Sequence, residues 1–85
     1  MSVTVLYFAR LREALGVAQE CITLSAHAAS VGGLLDHLRA RGGEWQVALA
    51  ATQPYRVAVN QDMAEITTVL HDGDEVAIFP PVTGG

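Results

Sequence analysis

The residues best placed to do chemistry stand at the end of the chain. Pro80, Pro81, Val82, Thr83, Gly84 and Gly85 follow an apolar run, Val76-Ala77-Ile78-Phe79, which has the composition of a buried strand. Two prolines stop such a strand abruptly, because neither ring nitrogen can donate to a sheet ladder. What remains is a short tail whose last two residues have no side chain. If the carboxyl group of Gly85 is the reacting group, it has to thread into another protein's active site. Gly84 and Gly85 suit that task, since a backbone without Cβ atoms takes unusual dihedrals and passes through a narrow channel. Pro80 and Pro81 stiffen the base of the tail and lower the entropy lost on docking. Fixing the four residues after Pro81 costs about 4–8 kcal/mol of backbone entropy. A partner must therefore grip the tail along its length, or hold the body of the domain firmly. An inert Gly-rich terminus is the other reading of the same residues.

No other set of residues makes as coherent a site. Cys21 is the single thiol, but nothing beside it in sequence is basic enough to favour a thiolate, and Glu20 disfavours one. His27, His37 and His71 lack paired spacing, so no metal site is expected. Asp72, Asp74 and Glu75 read as a solvated turn, because the ligand ladder of a calcium loop is missing. No nucleophile elbow surrounds Ser2, Ser25 or Ser30. Gly32-Gly33 and Gly42-Gly43 look like helix ends and lack the spacing of a nucleotide-binding loop. The chain reads as one without its own catalytic machinery, and that fits a protein whose terminus is the substrate.

The elements that must present the tail can be read in order. Val3, Val5 and Tyr7 alternate with Thr4, Leu6 and Phe8 in a first strand, with Leu6 and Phe8 outward if the other set faces the core. Residues 10–15 have helical composition and stop at Gly16. A second strand spans about residues 19–24, with Ile22 and Leu24 on one face and Cys21 on the other. The main helix starts after the N-cap Ser30 and runs to about Arg41, with Val31, Leu34, Leu35 and Leu38 as its apolar stripe. A short helix covers about residues 44–51, with Trp45 and Leu49 sharing a face. Residues 55–59 form a third strand, 60–62 a turn, 63–66 a short strand or bridge, and 75–79 the last strand after the turn at Asp72-Gly73.

Composition bounds the rest. Eighty-five residues make one small domain, yet 51% of them are apolar and the mean hydropathy is +0.30. Chains of this size bury only about 60–65% of the surface their unfolded state exposes. Apolar surface is therefore left for a partner. No apolar run is long enough to span a membrane and no secretory signal opens the chain, so a cytoplasmic protein without a membrane partner is expected. The net charge is −4 and all five basic residues are arginines, a poor composition for binding nucleic acid. Without lysine the chain offers no side-chain amine for ubiquitin-type polymerisation.

The stretch DGDEVAIFPPVTGG, residues 72–85, resembles the C-terminus of the MoaD family, the small, sulfur-carrying subunits of molybdopterin synthase within the MoaD/ThiS ubiquitin-like sulfur carriers. The opening, Val5-Leu6-Tyr7-Phe8-Ala9-Arg10-Leu11-Arg12-Glu13, is similar to the start of the same family, where a strand runs into an Arg-Glu pair. The likeness covers essentially the whole chain. It implies an α+β fold of the β-grasp type, a mixed sheet on one main helix over residues 1–79, with first and last strands parallel neighbours and a flexible tail over 80–85. It also implies that Gly85 is adenylated by a ubiquitin-activating-like enzyme that consumes ATP, and that a sulfur donor then makes it a thiocarboxylate. A thiocarboxylate sulfur is a good nucleophile, whereas a carboxylate needs AMP as leaving group before it becomes an electrophile. Docked in the large catalytic subunit, in a heterotetramer, that sulfur would attack a cyclic pyranopterin monophosphate (precursor Z) and build the dithiolene of molybdopterin. No cofactor is expected on the small subunit itself.

If the first and last strands are parallel neighbours, Phe8 and Phe79 lie on one face below the tail. Met63 is the soft contact to add, and Arg12 a polar one, unless it pairs with Glu13. The alternative is that both rings are buried and serve stability only. Three other functions share these features: a sulfur carrier for thiamine, cysteine or tRNA thiolation, a ubiquitin-like protein modifier, and a plain binding module with an inert tail.

Overall fold

The computed structural model describes residues 1–81. Val82, Thr83, Gly84 and Gly85, and with them most of the expected tail, lie outside the described residues. Strand β1 (Ser2–Tyr7) leads through helix α1 (Ala9–Leu15) to β2 (Gln19–Thr23). A 3-10 turn (Ala26–Ala28) precedes helix α2 (Val31–Arg39) and the short helix α3 (Glu44–Ala48). Strands β3 (Arg56–Val59), β4 (Asp62–Met63) and β5 (Glu75–Phe79) complete the chain. One five-stranded sheet results, in the order β2-β1-β5-β3-β4. Strands β1 and β5 run parallel at its centre and every other pairing is antiparallel. This is the β-grasp arrangement, with the first and last strands side by side.

Alternation decides the faces. Val3, Val5 and Tyr7 of β1, Ile22 of β2, Val57 of β3, and Val76 and Ile78 of β5 point inward and are buried. They meet Val31, Leu34, Leu35 and Leu38, the stripe of α2, and Leu49 just past α3. Ser30 caps α2 as its composition predicts, its hydroxyl oxygen accepting from the Gly33 N–H at 3.1 Å. Gly16 ends α1 in the left-handed conformation at φ 73°, where a Cβ would be strained.

Several boundaries differ from the sequence reading. Helix α2 ends at Arg39, two residues before Arg41, because the chain turns at Ala40-Arg41 toward Gly42 at φ 75°. Helix α3 stops at Ala48, since Leu49 leaves helical geometry to enter the core. Asp62 belongs to β4 and not to the turn, which is the two-residue Asn60-Gln61 loop with both residues at positive φ. The strand expected over 63–66 ends at Met63, although the Ala64 N–H still bonds to Val57 O at 3.0 Å. Beyond it the chain turns under α2, where the Gly32 N–H bonds to Ile66 O at 2.8 Å.

Gly33 has a role that its place in the first turn of a helix does not suggest. A Cβ built there would stand 2.6 Å from Ala28 O, so the 3-10 turn crosses α2 at a distance only glycine allows.

Candidate functional site

The tail leaves the sheet at Phe79, the end of β5, and Pro80 and Pro81 follow without sheet pairing. What surrounds that point is fixed by register. Tyr7 pairs with Ile78 across the parallel β1–β5 ladder, and the Phe8 N–H continues the ladder by bonding to Ile78 O at 3.2 Å. Phe8 is itself no longer strand; it is the extended residue before α1, at φ −125° and ψ 153°. Extended geometry turns its ring to the side opposite Tyr7. Phe79 alternates with Ile78 in the same sense, so both rings lie on the outer face at the root of the tail. Phe8 is 43% exposed and Phe79 half-buried, which rules out complete burial of both rings in this monomer.

The outer face continues away from the tail in the same phase. Leu6 pairs with Ala77, Ala77 with Ala58, and Ala58 with Met63. Met63 is 64% exposed. Ala58 is only 7% exposed although it contributes nothing to the core cluster. A row of two alanines between Leu6 and Met63 makes a low apolar floor with taller side chains at either side. Toward β2 the face turns polar, with Thr4 opposite Cys21 and Ser2 opposite Thr23. Cys21 is exposed there, and no other cysteine exists to pair with it.

The arginines divide into engaged and unengaged groups. Arg10 donates to Pro54 O at 2.7 Å, tying α1 to the loop before β3. Arg39 donates to Leu49 O, Asp36 and the Tyr55 hydroxyl. Arg41 holds Glu20 through two hydrogen bonds, at 2.8 and 2.9 Å, and lies over the Trp45 ring at 4.4 Å. Arg12 and Arg56 form no ion pair or side-chain hydrogen bond among the described residues, so the Arg12–Glu13 pair considered from sequence is not formed. Arg12 lies one turn into α1 from Phe8, and its N–H bonds to Phe8 O at 3.4 Å. Arg56 pairs with Phe79 across the β3–β5 ladder and is exposed. Sequence reasoning passed over Arg56, though its alternation with Val57 and Val59 already places it outward.

A second polar cluster braces the edge of the fold. The Tyr7 hydroxyl donates to Glu20 at 2.8 Å, and the Tyr7 ring meets Trp45 edge-on at 5.5 Å. Arg41's hydrogen bonds hold the Glu20 carboxyl below the usual carboxylate range, against the opposing effect of burial. Burial pushes the Tyr7 hydroxyl well above its ordinary value, and its bond to Glu20 adds to that shift. At the turn before β5, the His71 N–H and the Asn60 amide hold Asp74 below the usual range.

No other part of the described molecule gathers reactive groups. A shallow groove of about 470 Å³ between α2 and the chain before β3 holds one ionic pair, Asp36–Arg39, which is spent on itself. Among the described residues, no three His, Cys, Asp or Glu side chains come together as metal ligands. No described helix is long and apolar enough to cross a membrane.

Residues 5–85 match the model of the ThiS family. The chain belongs to that family. It is 40% identical over 81 residues to the molybdopterin synthase sulfur carrier subunit of Haemophilus influenzae, covering 95% of this chain and 96% of that one. Its fold is similar to SAMP1 of Haloferax volcanii, with a TM-score of 0.84 at 28% identity over the whole of both chains. It is also similar to a protein described as molybdopterin converting factor subunit 1 from Pyrococcus furiosus, with a TM-score of 0.81 at 31% identity, covering 96% and 99% of the two chains. In this ThiS family member the apolar outer face of the sheet borders the point where the chain leaves β5 at Phe79.

Proposed function

We propose that this chain is the sulfur-carrying subunit of a molybdopterin synthase. The observation that carries the reading is the β1–β5 register, which sets Phe8 and Phe79 on the outer face where the chain leaves the sheet. The name of the relative at 40% identity supports the choice of pathway. Phe8, Phe79 and Met63 dock on the large subunit, with Arg12 as a polar contact, and Pro80, Pro81, Val82, Thr83 and Gly84 thread toward its active site. An activating enzyme of the ubiquitin-activating type joins the Gly85 carboxylate to AMP, releasing pyrophosphate from ATP. A sulfur donor displaces AMP and leaves a thiocarboxylate. Its sulfur attacks the cyclic pyranopterin monophosphate, and after hydrolysis the chain returns with a carboxylate. Acid–base catalysis and phosphate binding belong to the large subunit, in a heterotetramer of two copies of each.

The experiment is reconstitution with purified activating enzyme, ATP, sulfur donor and large subunit. Intact mass of the chain should rise by the exchange of one oxygen for sulfur, and molybdopterin should form. A chain lacking Gly85 should keep its melting temperature and lose product formation altogether. Product from the truncated chain would refute the reading.

The likeness to SAMP1, a small archaeal modifier protein, favours a second reading, conjugation to other proteins. It predicts isopeptide adducts in cells in place of thiocarboxylate turnover. With no lysine, such adducts would remain single additions through this chain's side chains.

A further inference from the structure

Arg56 has a position that folding does not explain. Of the five arginines it is the only one on a strand, and Arg10, Arg39 and Arg41 are all committed to partners within the fold. It faces outward directly across from Phe79, at the root of the tail. At the other end of the same face stands Glu75, opposite Thr4 on β5's partner strand. The apolar floor of Leu6, Ala77, Ala58 and Met63 lies between these opposite charges. An apolar face of this kind gives affinity but tolerates sliding, because hydrophobic contact is not directional. Sliding by one residue would carry the tail away from the channel it must enter.

We propose that Arg56 fixes the seating of this face on the large subunit, which presents a carboxylate to it at the rim of the interface near the mouth of the tail channel. The inference rests on the proposed function and names the chemistry of the partner at one point. Three observations favour that occupant. The face is continuous with the root of the tail. Arg56 has no internal carboxylate among the described residues. The charge beside the two rings is positive in a chain whose net charge is −4. A guanidinium also suits the task through its rigid planar fork, which meets a carboxylate with two parallel bonds.

Rim charges act mainly on association rate and salt dependence, and neighbouring rings supply most of the affinity. The test is binding of the full chain to purified large subunit, by calorimetry and stopped flow, at low and high ionic strength. Wild type is compared with Arg56→Met, Arg56→Glu and Phe79→Ala. Arg56→Met keeps the apolar stem and should weaken binding at low salt by less than Arg56→Glu, which should lose roughly tenfold or more. Both deficits should shrink as salt screens the charge. Thermal melting should hardly move for either. Binding of Arg56→Glu within about twofold of wild type at low salt, or a deficit that salt does not change, would overturn the inference. If Phe79→Ala still fails to bind in that case, the docking face survives without its polar anchor. If neither substitution affects binding, or wild type itself does not bind, the proposed function falls and the inference with it.

Discussion

The two faces of the sheet use the same alternation for different ends. On the inner face, Val5, Val76 and Ile78 are fully covered by residues of the core, and Leu34 and Leu38 of α2 are among them. On the outer face, Leu6, Ala77 and Phe79 of the same two central strands are only partly covered, and Phe8 and Met63 are exposed. Strand composition is apolar on both sides, so hydrophobicity alone cannot say which side holds the fold together. Coverage can: the inner set contributes to stability in the monomer, whereas the outer set gains its full burial only under a partner.

The largest effect that would sharpen this contrast lies inside. Leu34→Ala removes a side chain with no exposure and should cost about 2–5 kcal/mol of stability. Denaturant unfolding measures the loss, and the fraction that remains folded should bind the large subunit with wild-type affinity. A normal unfolding midpoint would contradict the assignment of this face to stability.

The polar brace at the edge should be worth less. Glu20→Gln keeps the shape but weakens the pair with Arg41 and should cost about 1–3 kcal/mol. That corresponds to a drop of very roughly 4–8 °C per kcal/mol in a domain of this size. The same group gives a pH signature. Glu20 and Asp74 are both held below ordinary carboxylate values in the fold, so the unfolded chain takes up their protons at higher pH. Their contribution is complete above the ordinary carboxylate range and is lost as pH falls through the depressed native values. Melting followed from pH 7 into acid should show wild type losing stability below about pH 4–5, with a shallower decline for Glu20→Gln. Equal slopes would remove Glu20 from the account.

Cys21→Ser should do least. Cys21 is exposed on the polar part of the outer face, opposite Thr4, on a strand remote from β5's end. Melting and sulfur transfer should both stay near wild type. A large loss of transfer in a folded chain would move the chemistry from the terminus to this thiol.

Much of this contrast was legible in the sequence. The period-two pattern of residues 3–8 and the stripe Val31, Leu34, Leu35, Leu38 gave the inner face, and Phe8 and Phe79 could be placed outward by phase, whereas Met63 was chosen for its soft side chain alone. What escaped were relations between residues distant in sequence. Nothing local marks Gly33 as the point where Ala28 O approaches, and its cost to helix propensity suggests only a weak start. The brace of Glu20, Arg41, Tyr7 and Trp45 joins β1, β2, the turn after α2 and α3 through pairs as far apart in sequence as Tyr7 and Trp45, with no periodic trace. Arg56 was visible as an outward residue, but its lack of an internal partner appears only once the other arginines are accounted for. Helix ends were misjudged at Arg41 and Ala51 because termini depend on where the chain must go next.

The separation of the two faces is tested most directly by Phe79→Ala, with two readings on the same purified chain: thermal melting alone, and affinity for the large subunit. A large apolar side chain contributes about 1.5–3 kcal/mol when fully covered, and Phe79 is partly but not fully covered in the monomer. The account predicts a loss of affinity of roughly tenfold or more, with a chain that still melts cooperatively and loses less stability than Leu34→Ala. Collapse of the fold with unchanged affinity in the remaining folded fraction would contradict it, and would return Phe79 to the core.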